Sequence, residues 1–150
     1  MFMTGAGHVD AERAFAAVAR SRKRAAIARW LRREPAGHGR LPVYDERAFR
    51  GAGGRPRRGV SEIPLEAIRS TLEPGRSAVF DCAFRPAASA QRRWERIWLA
   101  EQRGATLPPI SLVRVGDSYA VRDGHHRVSV ARARGAVTID ATVETAPLAA

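Results

Sequence analysis

The spacing of apolar residues in the first third of the chain predicts one long helix. Asp10 is a suitable N-cap, and helix-forming alanines and arginines then run over residues 11–33. Pro35 and Gly37 end this run. Six apolar residues fall roughly on one face of the helix, which we expect to dock on the rest of the protein: Phe15, Val18, Ala19, Ala26, Ile27 and Trp30.

The segment after this helix, residues 35–86, has three parts with different sequence patterns. Residues 35–59 are rich in glycine, proline and arginine with little hydrophobic periodicity, which predicts a linker. The pattern then tightens: residues 60–63 predict a short strand, and residues 64–72 open with proline and predict a short helix. Residues 73–86 mix turn residues with aromatic ones and predict an irregular segment that wraps the core.

A second amphipathic helix is predicted over residues 90–104, with Ser89 as its N-cap and a glycine at its end. Trp94, Ile97 and Trp98 recur in it at helical spacing. We therefore expect the two tryptophans to be buried in the core; stacking on nucleic-acid bases is the alternative.

The last third of the chain gives the clearest pattern. Residues 110–115 and 118–121 are β-rich runs around a Gly-Asp pair, which predicts a hairpin. Residues 126–134 predict a helix ended by Gly135, and residues 137–143 alternate as a last strand. The succession predicts an α/β (α+β) fold in which a small mixed sheet has flanking helices.

Composition fits one globular domain, because the 150 residues are 45% hydrophobic. We expect residues 1–59 to form the basic N-terminal helix and its linker, residues 60–145 the compact domain and residues 146–150 a tail. Neither a secretory signal nor a bilayer-length apolar run is present, so we expect a cytoplasmic protein with no membrane partner. The single cysteine, Cys82, excludes an internal disulfide.

The net charge of +11 is unevenly distributed. Residues 1–60 hold 14 basic and 5 acidic residues (+9), whereas residues 61–150 hold 12 and 10 (+2). The excess allows two interpretations of the N-terminal helix: a solvated basic face, or a surface that contacts the phosphate backbone of DNA or RNA. The candidates for the second are Arg22, Lys23, Arg24, Arg29 and Arg33.

The stretch Arg-Asp-Gly-His-His-Arg joins the predicted hairpin to the predicted helix. The first N–H groups of a helix are unpaired and carry the positive end of its dipole, so this junction suits an anion. Gly124 would let a phosphate approach the backbone, and Arg127 would add a forked donor. His125 and His126 could donate to phosphate or move protons. Asp123 could hold hydrated Mg²⁺ or orient an attacking hydroxyl.

Each of these residues also has a structural interpretation. Asp123 could only cap the helix, Arg127 could pair with Asp123 or Glu95, and one histidine could face the core with a satisfied hydrogen bond. The adjacent histidines lack a third ligand at suitable spacing, so we predict no metal-ligand set. Glu62 and Glu66, near the first strand, are lesser candidates for a general base.

A resemblance to a known protein family rests on three parts of the sequence: IPLEAI (63–68), LPPISLVRVGDSYAVRDGHHRVSVARARG (107–135) and the closing strand. They resemble the ParB N-terminal, or ParB/sulfiredoxin, superfamily over roughly residues 60–145. The string Val-Arg-Asp-Gly-His-His-Arg-Val-Ser-Val-Ala is similar to that of a group of small ParB-like proteins. The resemblance implies a small ParB/sulfiredoxin-like α/β domain with a phosphate-binding turn.

The branches of this superfamily imply different activities. Sulfiredoxins have a catalytic cysteine where His125 stands, so sulfiredoxin activity is not expected. Gly124 and Arg127 match the turn with which partition ParB proteins bind CTP, although His125 and His126 depart from it. No helix-turn-helix region follows the domain, so DNA reading by that route is not expected. The free-serine kinases have an Asp-Gly-His-x-Arg turn, which Asp123, Gly124, His125 and Arg127 match.

Residues and resemblance together predict a nucleotide, CTP, ATP or ADP with Mg²⁺, bound at this turn. Its phosphates would be bound by Gly124, His125, His126 and Arg127. The catalytic residues would be Asp123, His125 and His126. Whether the protein is an enzyme, a phosphotransferase or a nucleotide hydrolase, is left open. The alternative is a non-catalytic, DNA-associated module of chromosome-partitioning type regulated by nucleotide. The oligomeric state is also open, with a dimer among the alternatives.

Overall fold

The computed structural model describes residues 3–45, 47 and 59–145. In chain order its helices and strands are α1 (Met3–Leu31), β1 (Ser61–Pro64), β2 (Ile68–Thr71), α2 (Gln91–Gln102), β3 (Ile110–Val115), β4 (Ser118–Asp123), α3 (His125–Ala133) and β5 (Thr138–Thr145). Residues 46 and 48–58 of the predicted linker and the predicted tail at 146–150 lie outside the described residues. None of the described helices is long and apolar enough to cross a membrane.

The strands form one five-stranded mixed sheet in the order β1-β5-β3-β4-β2. The pairs β1/β5 and β3/β4 are antiparallel, and β3/β5 and β2/β4 are parallel. The predicted α/β class with a small mixed sheet and flanking helices is therefore confirmed. The main core packs α3 and the segment before α2 on one sheet face, and it includes Ile68, Phe80, Phe84, Leu112, Val121, Val128 and Ala141.

The helices stack outward from this core. Phe15 of α1, Trp94 of α2 and Val130 of α3 form a second apolar cluster, with the Phe15 and Trp94 rings edge to face at 5.5 Å. Trp94 is fully buried, and its indole Nε1 donates to Ser129 Oγ at 2.9 Å. The prediction that Trp94 is a core residue is confirmed; Trp98 is half-buried beneath the guanidinium of Arg134.

Helix α1 begins earlier than the sequence predicts. It starts at Met3, so Asp10 lies inside the helix and is not its N-cap. A Cβ built on Gly7 would lie 3.2 Å from Leu99 Cδ2, so this glycine lets the first turns of α1 pack closely on α2. Docking on α2, rather than the capping signal, extends the helix.

The predicted docking stripe of α1 is only half right. Phe15 is buried and Val18 is partly buried, but Ile27 and Trp30 are 57% and 77% exposed. Helix α1 has 29 residues and α2 has 12, lengths of about 44 Å and about 18 Å. Helix α2 is therefore too short to cover the C-terminal part of the stripe.

Residues 64–72 do not form the predicted helix. They form a single 3-10 turn, Leu65–Ala67, and then strand β2. Strand β2 pairs in parallel with β4, and Thr71 exchanges backbone hydrogen bonds with the segment Pro42–Tyr44. Tertiary pairing overrides the local helical pattern here.

The predicted cap of α2 is also wrong. A 3-10 turn, Ala88–Ala90, precedes the helix, and α2 starts at Gln91 with Ala90 at the N-cap position and no side-chain cap hydrogen bond. Ser89 lies within that turn and is exposed. The turn supplies the backbone hydrogen bond that leads into α2, so a serine cap is not needed.

The final third agrees closely with the prediction. The hairpin, the helix and the last strand are observed as β3, β4, α3 and β5, with ends that differ by at most two residues. Gly124 sits between β4 and α3 with φ of +111°, a left-handed conformation that favours glycine. A Cβ built there would lie 2.7 Å from Ile110 Cβ and would also clash with Ile110 Cγ2.

Replacing Gly124 with alanine is therefore expected to destabilise the domain by about 2–5 kcal/mol, the sum of left-handed strain and overpacking against Ile110. Gly135→Ala is the matched control, because Gly135 also has positive φ (+75°) but has no atom within 4 Å of its Cβ position. We expect Gly135→Ala to cost about 1–2 kcal/mol. Urea unfolding of both variants measures the difference, and equal losses would contradict the steric role of Ile110.

Candidate functional site

The turn between β4 and α3 leaves a helix start open. Strand β4 ends at Asp123, Gly124 occupies the N-cap position and α3 begins at His125. No side chain of the described residues caps the helix, so the proposed cap role of Asp123 is wrong, and this carboxylate is exposed. The first amides of α3 have no partner within the helix and remain available to an anion.

A small cleft of about 40 Å³ lies in front of this turn. It is lined by the residues of the turn and by Glu73, Arg76, Arg93 and Ile97. A single water needs roughly 10–15 Å³ of such space, so the cleft suits a group of a few heavy atoms, such as one phosphate, and not a nucleoside. Its charged lining comprises three arginines and two carboxylates.

Arg127 lines the cleft, but its guanidinium is already engaged. Its Nη1 donates to the carbonyl of Pro108, and its Nε lies 3.7 Å from Glu101 Oε1. Glu101 also pairs with Arg134 at 3.2 Å. Burial raises the pKa of Glu101, and Arg134 and then Arg127 oppose this. The carboxylate partner of Arg127 is thus Glu101 of α2, not Asp123 or Glu95.

Two further arginines at the cleft were missed by sequence reasoning. Arg76 lies in a 3-10 turn after β2, where its Nε is 3.2 Å from Glu73 Oε2, and Arg93 is an exposed residue of α2. Neither is close to the Asp-Gly-His-His-Arg string in sequence. Only the packing of separate segments around α3 brings them to the turn, so no local pattern could have found them.

His125 is a core residue. It is 4% exposed, its ring stacks on Phe80 at 6.1 Å and its Nε2 lies 2.6 Å from the hydroxyl oxygen of Thr71. Burial lowers the pKa of His125 to about 4; nearby Arg76 lowers it further and Asp123 opposes the shift. The prediction that one histidine faces the core with a satisfied hydrogen bond is confirmed for this residue.

His126 has a different environment. It is 7% exposed and its ring meets Phe80 edge to face at 5.1 Å, but no hydrogen bond of this ring is found among the described residues. Burial lowers the pKa of His126 to about 4, and Arg93, Arg76 and His125 lower it further. At pH 7 both rings are neutral, so each can meet a ligand only as a neutral donor or acceptor.

The other sequence candidates lie away from the turn. Glu62 is on β1, about 14 Å across the sheet from β4, and Glu66 lines a different cleft, between α1 and α3. The structure therefore does not bring either carboxylate to the turn as a general base. Within the described ranges, no group of three metal-binding side chains comes together.

The basic residues of the N-terminal helix divide into two groups. Arg22 donates to the carbonyls of Val79 and Ala78 at 3.0 and 3.3 Å, and the Arg29 guanidinium lies directly against Gly39. Arg22 therefore holds α1 to the domain, and Arg29 packs against the segment that follows α1. The remaining three are exposed: Lys23, Arg24 and Arg33.

No protein-family profile and no curated protein sequence matches this chain. The structure is similar to that of sulfiredoxin from Arabidopsis thaliana, with a TM-score of 0.44 and 22% sequence identity. The similarity covers 58% of this chain and 85% of that chain. Sulfiredoxin is a branch of the superfamily that the sequence resembles, but a likeness of this extent carries no argument about what this chain binds. The closer resemblance to ParB-like proteins stays a prediction.

The buried histidines predict how stability depends on pH. The unfolded chain binds more protons than the folded one between pH 6.5 and about 4, so stability should fall as pH falls through this range. Each histidine should contribute a slope of up to about 1.4 kcal/mol per pH unit. Urea unfolding at pH 7, 6 and 5 measures it.

His126→Gln should reduce the slope of the free energy of unfolding against pH between pH 6.5 and 5, by the amount that one buried histidine contributes. His8→Gln is the control, because His8 is exposed on α1. A slope that both variants leave unchanged would show that His126 is not buried in its neutral form.

Proposed function

We propose that this domain binds the phosphate of a nucleotide at the start of α3. The observation that supports the proposal is an uncapped helix N-terminus beside two arginine side chains, Arg76 and Arg93. Amides of residues 125–127 would donate to the phosphate oxygens, and the two guanidinium groups would supply opposite charge. Arg127 would contribute less than the sequence suggests, since its guanidinium is shared with Glu101 and Pro108.

The size of the cleft limits which part of the nucleotide it holds. A volume of about 40 Å³ accommodates a phosphate group, so the nucleoside would lie outside the cleft on the neighbouring surface. Asp123 is exposed at the rim and would hold hydrated Mg²⁺ together with the phosphate oxygens, as a single carboxylate commonly does. The cation would also reduce repulsion between the phosphate and Asp123.

The environment of the histidines separates their proposed roles. His125 is committed to Thr71 and would hold the first turn of α3 in place. His126 lines the cleft as a neutral ring and would donate to or accept from the phosphate. Asp123 would orient an attacking hydroxyl if the nucleotide is cleaved. Transfer to a second substrate and hydrolysis are two forms of this activity.

Binding can be measured by titrating the protein with pyrophosphate, CTP, ATP and ADP, each with Mg²⁺, in a calorimeter. We expect one site, and we expect Arg76→Gln or Arg93→Gln to weaken it about 10-fold to 100-fold, because each removes a charge-assisted hydrogen bond. Arg92→Gln is the matched control, since Arg92 is an exposed neighbour on α2 outside the cleft.

Failure of all four ligands to bind would overturn the proposal, as would equal effects of the control and the cleft variants. If a nucleotide binds, nucleotide conversion and inorganic phosphate are both measured with and without free serine or another hydroxyl acceptor. Hydrolysis converts the nucleotide and releases inorganic phosphate without an acceptor, transfer converts it only with the acceptor and yields the phosphorylated acceptor, and regulation leaves it intact. Asp123→Asn should then abolish turnover while binding is largely kept.

A non-catalytic, DNA-associated module is the second candidate function. It is favoured by the charge of +9 on residues 1–60 and by the exposure of Lys23, Arg24 and Trp30 on α1. Arg22 would not contribute, because it holds α1 to the domain, and Arg29 would contribute less than the exposed residues, because it is half-buried against Gly39.

If this second function holds, affinity for random duplex DNA should fall steeply between about 50 and 200 mM salt. The double variant Lys23→Gln/Arg24→Gln should reduce the slope of log affinity against log salt by about 2. The same slope in this variant as in the wild type, or affinity that does not depend on salt, would exclude these contacts.

A further inference from the structure

A second and larger cleft lies between α1 and α3. It has a volume of about 450 Å³ and shares no lining residue with the cleft at the turn. Ala17, Val18 and Ser21 of α1 form one wall. The other walls come from α3 and from the segments around Leu65 and Phe84. Clefts that bind small molecules have volumes of about 300–1,000 Å³, so this one is of a suitable size.

Most of the cleft surface is apolar, and two arginines, Arg85 and Arg132, also line it. Val18, Leu65 and Phe84 supply aliphatic and aromatic surface, and Arg132 of α3 lies among them with its guanidinium 5.4 Å from the centre of the Phe84 ring. The Nη2 of Arg132 donates to the carbonyls of Leu65 and Ile68 at 2.9 and 3.1 Å.

The charge of Arg132 has no close carboxylate. Its Nε is buried without a hydrogen bond, and within the described part of the chain no ion pair involves this residue. Asp81 pairs with Arg85 at 3.3 Å, and Glu66 is exposed at the edge of the cleft. Burial lowers the pKa of Arg132, which Asp81 and Glu66 oppose and Arg85 reinforces. A half-buried guanidinium with no carboxylate in direct contact is costly, and an anionic ligand would offset this cost.

We propose that this cleft binds a small monoanion with an aromatic or aliphatic body, such as an aryl carboxylate. The anionic group would face Arg132, and the apolar body would lie against Val18 and Phe84. A single negative charge fits better than two, because Glu66 lies at the edge. Since the ligand would contact both α1 and α3, it would also strengthen the docking of α1.

The proposal is tested with two isosteric probes, 2-naphthoate and 2-naphthamide, titrated into the wild-type protein. We expect saturable 1:1 binding of the naphthoate, about 10-fold or more tighter than that of the uncharged amide, because only the carboxylate makes a charged hydrogen bond. Ser21→Leu should weaken both probes, since it fills the cleft from α1 and leaves Arg132 in place.

Arg132→Gln should remove the preference for the naphthoate, and Arg96→Gln, an exposed arginine of α2 outside the cleft, should leave it unchanged. Absence of saturable binding would overturn the proposal, as would equal affinity of the wild type for both probes or affinities unaffected by Ser21→Leu. These wild-type and Ser21→Leu measurements decide the question even if Arg132→Gln does not fold.

Discussion

The contact between Gly124 and Ile110 determines how the chain passes from β4 into α3. The left-handed backbone at Gly124 ends the strand and starts the helix within one residue, and Ile110 occupies the space that a side chain would need. A glycine N-cap brings no side-chain oxygen to the first amides of α3. The need for close packing on β3 and the availability of amides to an anion therefore have the same origin.

Much of the Asp-Gly-His-His-Arg-Val-Ser string is explained by structure. His125 forms a hydrogen bond with the hydroxyl of Thr71, and Ser129 accepts a hydrogen bond from the indole of Trp94. Arg127 pairs with Glu101. These contacts join α3 to β2 and to α2, so they fix the position of the helix start. Beside these contacts, the start of α3 presents a row of amides and the ring of His126, next to Arg93 and to Arg76, which pairs with Glu73.

Local sequence predicted the elements that local forces decide. The β3–β4 hairpin has a tight turn and α3 follows at once, so both could be predicted from short segments. Strand β2 could not, because its partner β4 lies far along the chain, and neither could the exposure of Trp30, which depends on the short length of α2. The positions of Arg76 and Arg93 near the turn could not be predicted for the same reason, because folding brings them there from segments that are distant in sequence.

We propose that the first amides of α3 bind phosphate. Backbone amide chemical shifts recorded while pyrophosphate is added test it most directly. We expect saturable shifts that are largest at His125, His126 and Arg127, decrease away from the turn and are lost in the Arg76→Gln/Arg93→Gln double variant. Shifts confined to exposed arginine-rich segments of α1, or no shift at the start of α3, would contradict it.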